Sequence, residues 1–356
     1  MKGWRERAAD VFADQGAIAA KKEFAPGPGT TDFRIADGCR CVTLDRCETF
    51  DTGAGDVWLG SERIYPDLPK RSRRVVLEMY PESCASNVIA DCTFRQGGRF
   101  QPEGTGVFVT HASDNVITHN LIDDFYDSGI TVGYTWGYGG SPSQRNEISF
   151  NRISRIGQDE LFDLAGVYTL ATSYGTVISN NVITEVGGNG IYMDEGSEGI
   201  LIENNPLTQI SEAGGFMHYG TGCTFRNNIF AFNRKWGLAW ASKKEAGGVP
   251  SSIDFICNIF YTEEAPLIGS RTLGVSGVRA HNVWWNPKGT GEKDFDGHSA
   301  EWYLAKGRSI GDVVDDPLFV DVKNGDFRLK PDSPALKLGF KEWDHSLVGP
   351  RTECGL

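Results

Sequence analysis

Residues 176–183 read TVISNNVI, and the same phrase returns along the chain: an apolar alternation, an Asn or its substitute, then a second short apolar pair. Versions stand at VTLDRCETF (42–50), NVIADCTF (87–94), NVITHNLI (115–122), NEISFNRI (146–153), GILIENNPL (199–207), CTFRNNIF (223–230), IDFICNIF (253–260) and VRAHNVWW (278–285). The last Asn of each falls at Asn120, Asn151, Asn181, Asn205, Asn228, Asn258 and Asn282, in steps of 31, 30, 24, 23, 30 and 24 residues. Short strands at such a period, with no helical pattern between them, predict an all-β fold. The expected architecture is a single-stranded right-handed parallel β-helix, a solenoid with capping segments at both ends. One coil takes about 22–24 residues, and the steps near 30 carry a loop. An irregular β-sandwich is the alternative, and six recurring steps count against it. The recurring Asn suits a turn with left-handed φ, and its stacked amides would form a hydrogen-bonded ladder along the axis.

A second strand follows each Asn and opens on Gly: GVFV at 106, GITVG at 129, GVYTL at 166, GIYMD at 190, GFMHY at 215 and GLAWA at 237. Stacked in parallel, these strands make one sheet with neighbours about 4.8 Å apart. Its outward face is expected to carry Thr131, Tyr168, Tyr192, Asp194, Met217 and Tyr219, an aromatic surface suited to a binding groove. In GIYMDEGS (190–197), Ile191 and Met193 point one way while Tyr192 and Asp194 point the other. An outward tyrosine beside an acid suits a sugar, since the ring offers a flat apolar face and the acid handles a proton.

Composition sets limits on the partners. The 356 residues include 44 Gly, 15 Pro and 20 Phe, with 23% charged residues, a net charge of −12 and a pI near 5.0. This is a turn-rich β composition, and the acidity argues against nucleic acid as a partner. No apolar run has transmembrane length, and MKGWRERAADVF lacks the apolar core of a signal peptide. The chain reads as cytosolic, or as one whose targeting peptide has been removed. Eight cysteines show no paired zinc spacing, and no cofactor or metal is expected. Cys92, Cys223 and Cys257 read as buried free thiols, and a disulfide among Cys39, Cys41, Cys47 and Cys84 stays open. Residues 1–35 are assigned to an N-terminal cap, 36–290 to the β-helix and 291–356 to a C-terminal coil and cap.

Asp163, Asp194 and His218 fall 12, 13 and 13 residues after the Asn of their coils, which puts them in one column. Counting from the strand Gly separates Asp163 from the others, because the loop QDELFD precedes it. Two carboxylates across a glycosidic bond are the equipment of a glycosidase: about 5–5.5 Å apart for retention, about 6.5–9.5 Å for inversion. Glu195 is the spare acid, although a surface turn residue is its preferred reading; His218 is an orienting or substrate-binding group or a packed one. The loop YTWGYGGSP (134–142) supplies Tyr134 and Trp136 as sugar platforms, with Tyr168, Tyr192 and Tyr219 beside them. Asp123, Asp124 and Asp127 have the residue type of a Ca²⁺ site, although acids so close in a turn are usually solvated.

The segments VGYTWGYG, GQDELFDLAGVYTL, YGTVISNNVI, GIYMDEGS, HYG and NNIFAFNR, in this order, resemble bacterial right-handed β-helix glycosidases of glycoside hydrolase family 141. The C-terminal DPLFVD and GDFRLKPDSPALKLGF extend the resemblance over about residues 105–345. It implies a hydrolase of plant-type glycans, α-L-fucosidase-like or xylanase-like, that is secreted or periplasmic. It also implies two catalytic aspartates, at Asp163 and Asp194. The chain departs from the family pattern at Ala165-Gly166, in the short run Val186–Asn189 and at Met217. The expected function is therefore hydrolysis of an oligo- or polysaccharide by Asp163 and Asp194, supported by Glu195 and His218, without a membrane partner. The alternatives are a Ca²⁺-dependent polysaccharide lyase and a non-catalytic carbohydrate-binding solenoid.

Overall fold

Each coil of the chain lays down one short strand in each of three parallel sheets, and successive coils stack into a right-handed parallel β-helix. The computed structural model describes residues 31–36, 38–60, 83–158, 160–240, 245–246, 249–263, 265–269, 275–289, 291, 293–307 and 309–352. The first sheet has eight strands: β1 (Phe33–Ile35), β2 (Val57–Leu59), β3 (Val107–Val109), β4 (Ile130–Val132), β5 (Ala165–Thr169), β6 (Asn189–Met193), β7 (Ala213–Met217) and β8 (Trp236–Trp240). The second runs in nine strands from Thr43–Asp45 to Arg279–Ala280, and the third in ten from Glu48–Phe50 to Val313–Val314.

The register stacks like on like. Ile89, Ile117, Ile148, Ile178 and Ile202 lie one above another in the second sheet and continue as Phe225 and Phe255. In the third sheet Ile122, Ile153, Ile183, Leu207, Phe230, Phe260 and Trp284 form the matching column. Near the C-terminal end the rings of Phe260 and Trp284 stack at 4.0 Å. All of these side chains are buried, each contributing about 1.5–3 kcal/mol of apolar transfer.

Where the second sheet turns into the third, the expected ladder is present. Asn181 Oδ1 accepts from the backbone N and the Nδ2 of Asn151 at 3.0 and 2.9 Å. Its own Nδ2 donates to Ile148 O at 2.9 Å and to Asn205 Oδ1 at 3.1 Å. The pattern runs from Asn120 to Asn282 and ends on Asp312, which also accepts from Trp284 Nε1 and the Tyr303 hydroxyl. A shorter ladder joins Asn87, Asn115 and Asn146. The left-handed turn is displaced from the expected position. Positive φ belongs to the residue before each ladder Asn: His119, Phe150, Asn180, Asn204, Asn227, Cys257 and His281, at 53–60°. In the NN pairs the first Asn supplies the turn, which its short side chain tolerates, and the second joins the ladder.

The long steps hold their extra residues at different places. The 31-residue step puts 133–146 after β4, whereas the step from Asn151 puts 157–164 ahead of β5. Helix α1 (Ala300–Ala305) lies ahead of the last strand of the third sheet, and beyond that strand come an antiparallel pair of Phe319–Asp321 with Asp326–Leu329 and helix α2 (Pro334–Lys337). The chain then runs back along the outside, over the left-handed turns. Cys257 Sγ contacts Leu338 O, and Asn227 exchanges two 2.7 Å bonds with the Lys341 backbone. Gly349 N donates to Phe150 O, and Arg351 pairs with Asp91 at 2.6 Å.

Of the expected N-terminal cap, residues 1–30 lie outside the described residues, while Phe33–Ile35 is already the first strand of a sheet. Cys39, Cys41, Cys47 and Cys84 are free thiols, so the disulfide left open among them does not form. Cys92 and Cys223 are fully buried, Cys257 half-buried, and Cys354 lies outside the described residues.

Candidate active site

In β6, Ile191 and Met193 enter the core while Tyr192 takes the outer face, and Asp194 follows on that same face. The strand register places Phe108, Thr131, Tyr168, Tyr192 and Phe216 side by side on consecutive coils. Tyr168 and Phe216 each meet Tyr192 edge to face, with ring centres 4.8 Å apart. Met217 does not belong to this face. It pairs with Met193, is 1% exposed and packs in the core, so Phe216 takes the outer position. Strand parity requires this once Gly215 pairs with Ile191.

Just after the strands, Leu170, Asp194 and His218 occupy equivalent positions, their backbone N–H groups donating to Val132, Thr169 and Met193. The predicted column of Asp163, Asp194 and His218 is thus correct for the last two only. Asp163 precedes β5, with φ at 58°, because the extra residues of its coil lie ahead of the strand. It therefore stands on the margin where strands begin, whereas Asp194 and His218 stand where they end. Both margins line one groove, and the charges interact. Partial burial, then the negative charge of Asp194, raise the pKa of Asp163 above the usual carboxylate range.

Asp194, 7% exposed, is held from three sides. The Tyr168 hydroxyl donates to Oδ2; the Tyr192 hydroxyl, at 3.3 Å, and His218 Nδ1, at 2.8 Å, donate to Oδ1. The bond to Asp194 raises the pKa of His218, outweighing the desolvation that lowers it. Burial and the Asp194 charge both raise the two tyrosines, which stay neutral donors. Glu195 accepts from the Tyr219 hydroxyl at 2.7 Å. Gly196 lets the loop 133–142 dock here, since a Cβ would come within 2.2 Å of the Gly137 carbonyl carbon, and its φ is +77°. That loop seats Tyr138 against Tyr219 at 5.8 Å and leaves Trp136 44% exposed. Tyr134 packs edge-on against Phe108 at 5.6 Å and against Trp136 at 5.5 Å.

The groove encloses about 860 Å³. Besides the residues expected from sequence to act on or hold sugar, it is lined by Phe108, Asp127, Phe162, Glu212, Phe216 and Trp236. Phe162, 91% exposed, stands immediately before Asp163. Burial pushes the Asp127 carboxyl up to about 7, with the charges of Glu103 and Asp163 adding to the shift. The signal for Asp127, Phe162 and Glu212 was their place two to four residues ahead of the strand glycines Gly129, Gly166 and Gly214, a margin that sequence inspection passed over.

Of the three acids weighed for Ca²⁺, Asp127 lines the groove and the other two are committed elsewhere. Asp123 is bound by Arg155 and, at 2.8 Å, by the Ser154 hydroxyl; Asp124 pairs with Arg99 at 2.6 Å and accepts from Gln158 at 2.9 Å. No group of three or more metal-ligating side chains converges among the described residues. Among the described residues that line the groove, none is Lys or Arg.

A family model described as the right handed beta helix region matches residues 77–230 and 165–249. Among solved structures, a mutant tailspike protein of E. coli bacteriophage HK620, in complex with a hexasaccharide, superposes with a TM-score of 0.53 at 13% identity, covering 72% of this chain and 46% of that one. The A-module of Azotobacter vinelandii mannuronan C-5 epimerase AlgE4 gives 0.45 at 13% identity, over 79% of this chain and 84% of that one. A glycoside hydrolase gives 0.43 at 20% identity, over 60% and 33%. The chain spans about a third of that hydrolase and about half of the tailspike. At these identities the likeness is one of fold. No curated protein sequence matches the chain.

Proposed function

We propose that the protein hydrolyses a glycosidic bond in an oligo- or polysaccharide, with Asp163 and Asp194 as the catalytic pair. The observation that carries this reading is the pairing of two acids in different environments on opposite margins of one aromatic-floored groove. Asp163, whose pKa is raised by burial and by the Asp194 charge, is the better placed of the two to serve as the general acid for the departing sugar oxygen. Asp194, fixed by Tyr168, Tyr192 and His218, is the carboxylate that acts at the anomeric carbon, directly or through water. In the net reaction the C–O bond breaks, water supplies hydroxide to the anomeric carbon, and a proton goes to the leaving oxygen. Trp136, Tyr134 and Tyr219 hold sugar rings, and Glu195 keeps Tyr219 in place. The kinship with glycoside hydrolase family 141, and with its α-L-fucosidase and xylanase activities, is part of this proposal.

The lyase reading loses its support, because Asp123 and Asp124 are tied to arginines and no Lys or Arg among the described lining residues is placed to abstract a proton. The test is a panel of aryl glycosides and neutral plant polysaccharides, with the new anomer followed by NMR. Release of reducing ends by the wild type, and none by Asp194→Asn, is expected. Product bearing a double bond, or equal release by the variant, overturns the reading.

A further inference from the structure

The groove is much longer than its two acids require. Its lining begins at Phe108 on β3 and ends at Trp236 on β8, crossing six consecutive strands of one sheet. Five spacings of about 4.8 Å give about 24 Å along the solenoid axis. A pyranose ring in an extended chain advances by roughly one such spacing, so the floor offers about four to five ring positions. The volume of about 860 Å³ agrees, standing near the top of the range of about 300–1,000 Å³ that houses drug-sized ligands. Asp163 belongs to the coil of β5 and Asp194 to that of β6, the middle pair of the six. Two strands remain on either side.

We propose that the groove binds an uncharged glycan chain lengthwise along the solenoid axis and that the chain is cut at an internal bond. The cut rests on the hydrolase reading; the binding rests on the groove alone. Aromatic rings stand along its course: Tyr134, packed over the buried Phe108, at one end, Phe162 and Trp136 on the two margins beside the acids, Phe216 and Trp236 at the other end. Trp236 is steadied by Lys235, whose Nζ lies 4.7 Å from the ring centre while pairing with Glu212. The charge selects against acidic sugars. Asp194 and Glu195 line the groove beside Asp127 and the proposed acid Asp163, Glu212 is paired with Lys235, and no described lining residue is a Lys or Arg that would pair with a uronate.

The binding test uses Asp194→Asn and calorimetry with linear β-1,4-linked xylose and mannose oligomers of two to six residues, and with a galacturonate hexamer. In at least one neutral series the affinity is expected to rise about tenfold or more between the dimer and the pentamer, then level off. Trp236→Ala should lower hexamer affinity about tenfold and leave dimer affinity unchanged. Equal affinity at every length, no binding of any neutral chain, or preference for the galacturonate hexamer overturns the proposal. Wild-type enzyme acting on the end-labelled hexamer of the bound series should yield labelled products of two to four residues first; a first product shortened or released by a single sugar overturns the internal cut. Length-dependent binding without any release of reducing ends leaves the groove standing and removes the hydrolase; release without length dependence does the reverse.

Discussion

Asn181 and Asp194 lie on one coil, thirteen residues apart, and the fold treats them in opposite ways. Above and below Asn181 the same residue recurs, each amide satisfied by its neighbours' amides and backbone. The column through Asp194 reads Leu170, Asp194, His218, a different chemistry at every step. A position that repeats is answering to copies of itself, and its role is register and stability. One that changes from coil to coil, on the same scaffold, is free to answer to something outside the chain.

The sharpest break of this contrast is Asp194→Asn, which should lower kcat about a thousandfold or more while costing about 1 kcal/mol of stability and leaving the fold intact. Turnover assays and urea midpoints on the same preparation check both halves. Asn181→Leu should do the opposite. It strands the Asn151 amide and the Ile148 carbonyl in the core, costing about 3 kcal/mol, while turnover per folded molecule stays near wild type. A urea midpoint unmoved by this change would show that the ladder is ornamental.

Asp56 offers a third case, an acid ahead of β2, on the same margin as Asp163 but fully buried and bonded to the hydroxyls of Thr49 and Thr52. Burial pushes its pKa up to about 7, so the folded state holds a proton that the unfolded chain releases near its ordinary value of 3.8. Stability should therefore fall as pH rises from about 4 to about 7, by on the order of a few kcal/mol, and level off above. Asp56→Asn should flatten that slope in thermal melts between pH 5 and pH 8. The smallest effect is expected on the outer side of the turns, where Arg351→Ala removes the partner that holds Asp91 below the usual carboxylate range. It should cost about 1 kcal/mol at neutral pH, and less as Asp91 protonates in acid.

Much of the fold was legible because the ladder is written as identity: the same residue at a fixed interval leaves few other solutions. The outward face was legible within β6, where parity alone places Tyr192 and Asp194. It failed one coil on, at Met217, because parity there depends on where Gly215 pairs, and only the register decides that. Asp163 lines the groove but stands outside the expected column, since an interval of 30 residues does not reveal on which side of a strand the extra residues fall. Glu212 and Phe162 carry no motif at all, and Asp127 reads only as one acid of a cluster in a turn. They come together only because six strand beginnings align in space.

The tail from Leu338 to Arg351 has a mechanical consequence. A stack whose turns touch only their neighbours opens from an end, one layer at a time. Here a single segment clasps the layer of Cys257 and the layer of Asp91, with the layers of Asp163 and Asp194 between them. Those intermediate layers cannot peel away singly while the clasp holds, so the groove-bearing span should come apart as one cooperative block, and a nick in that clasp would turn an all-or-none transition into a sequential unzipping.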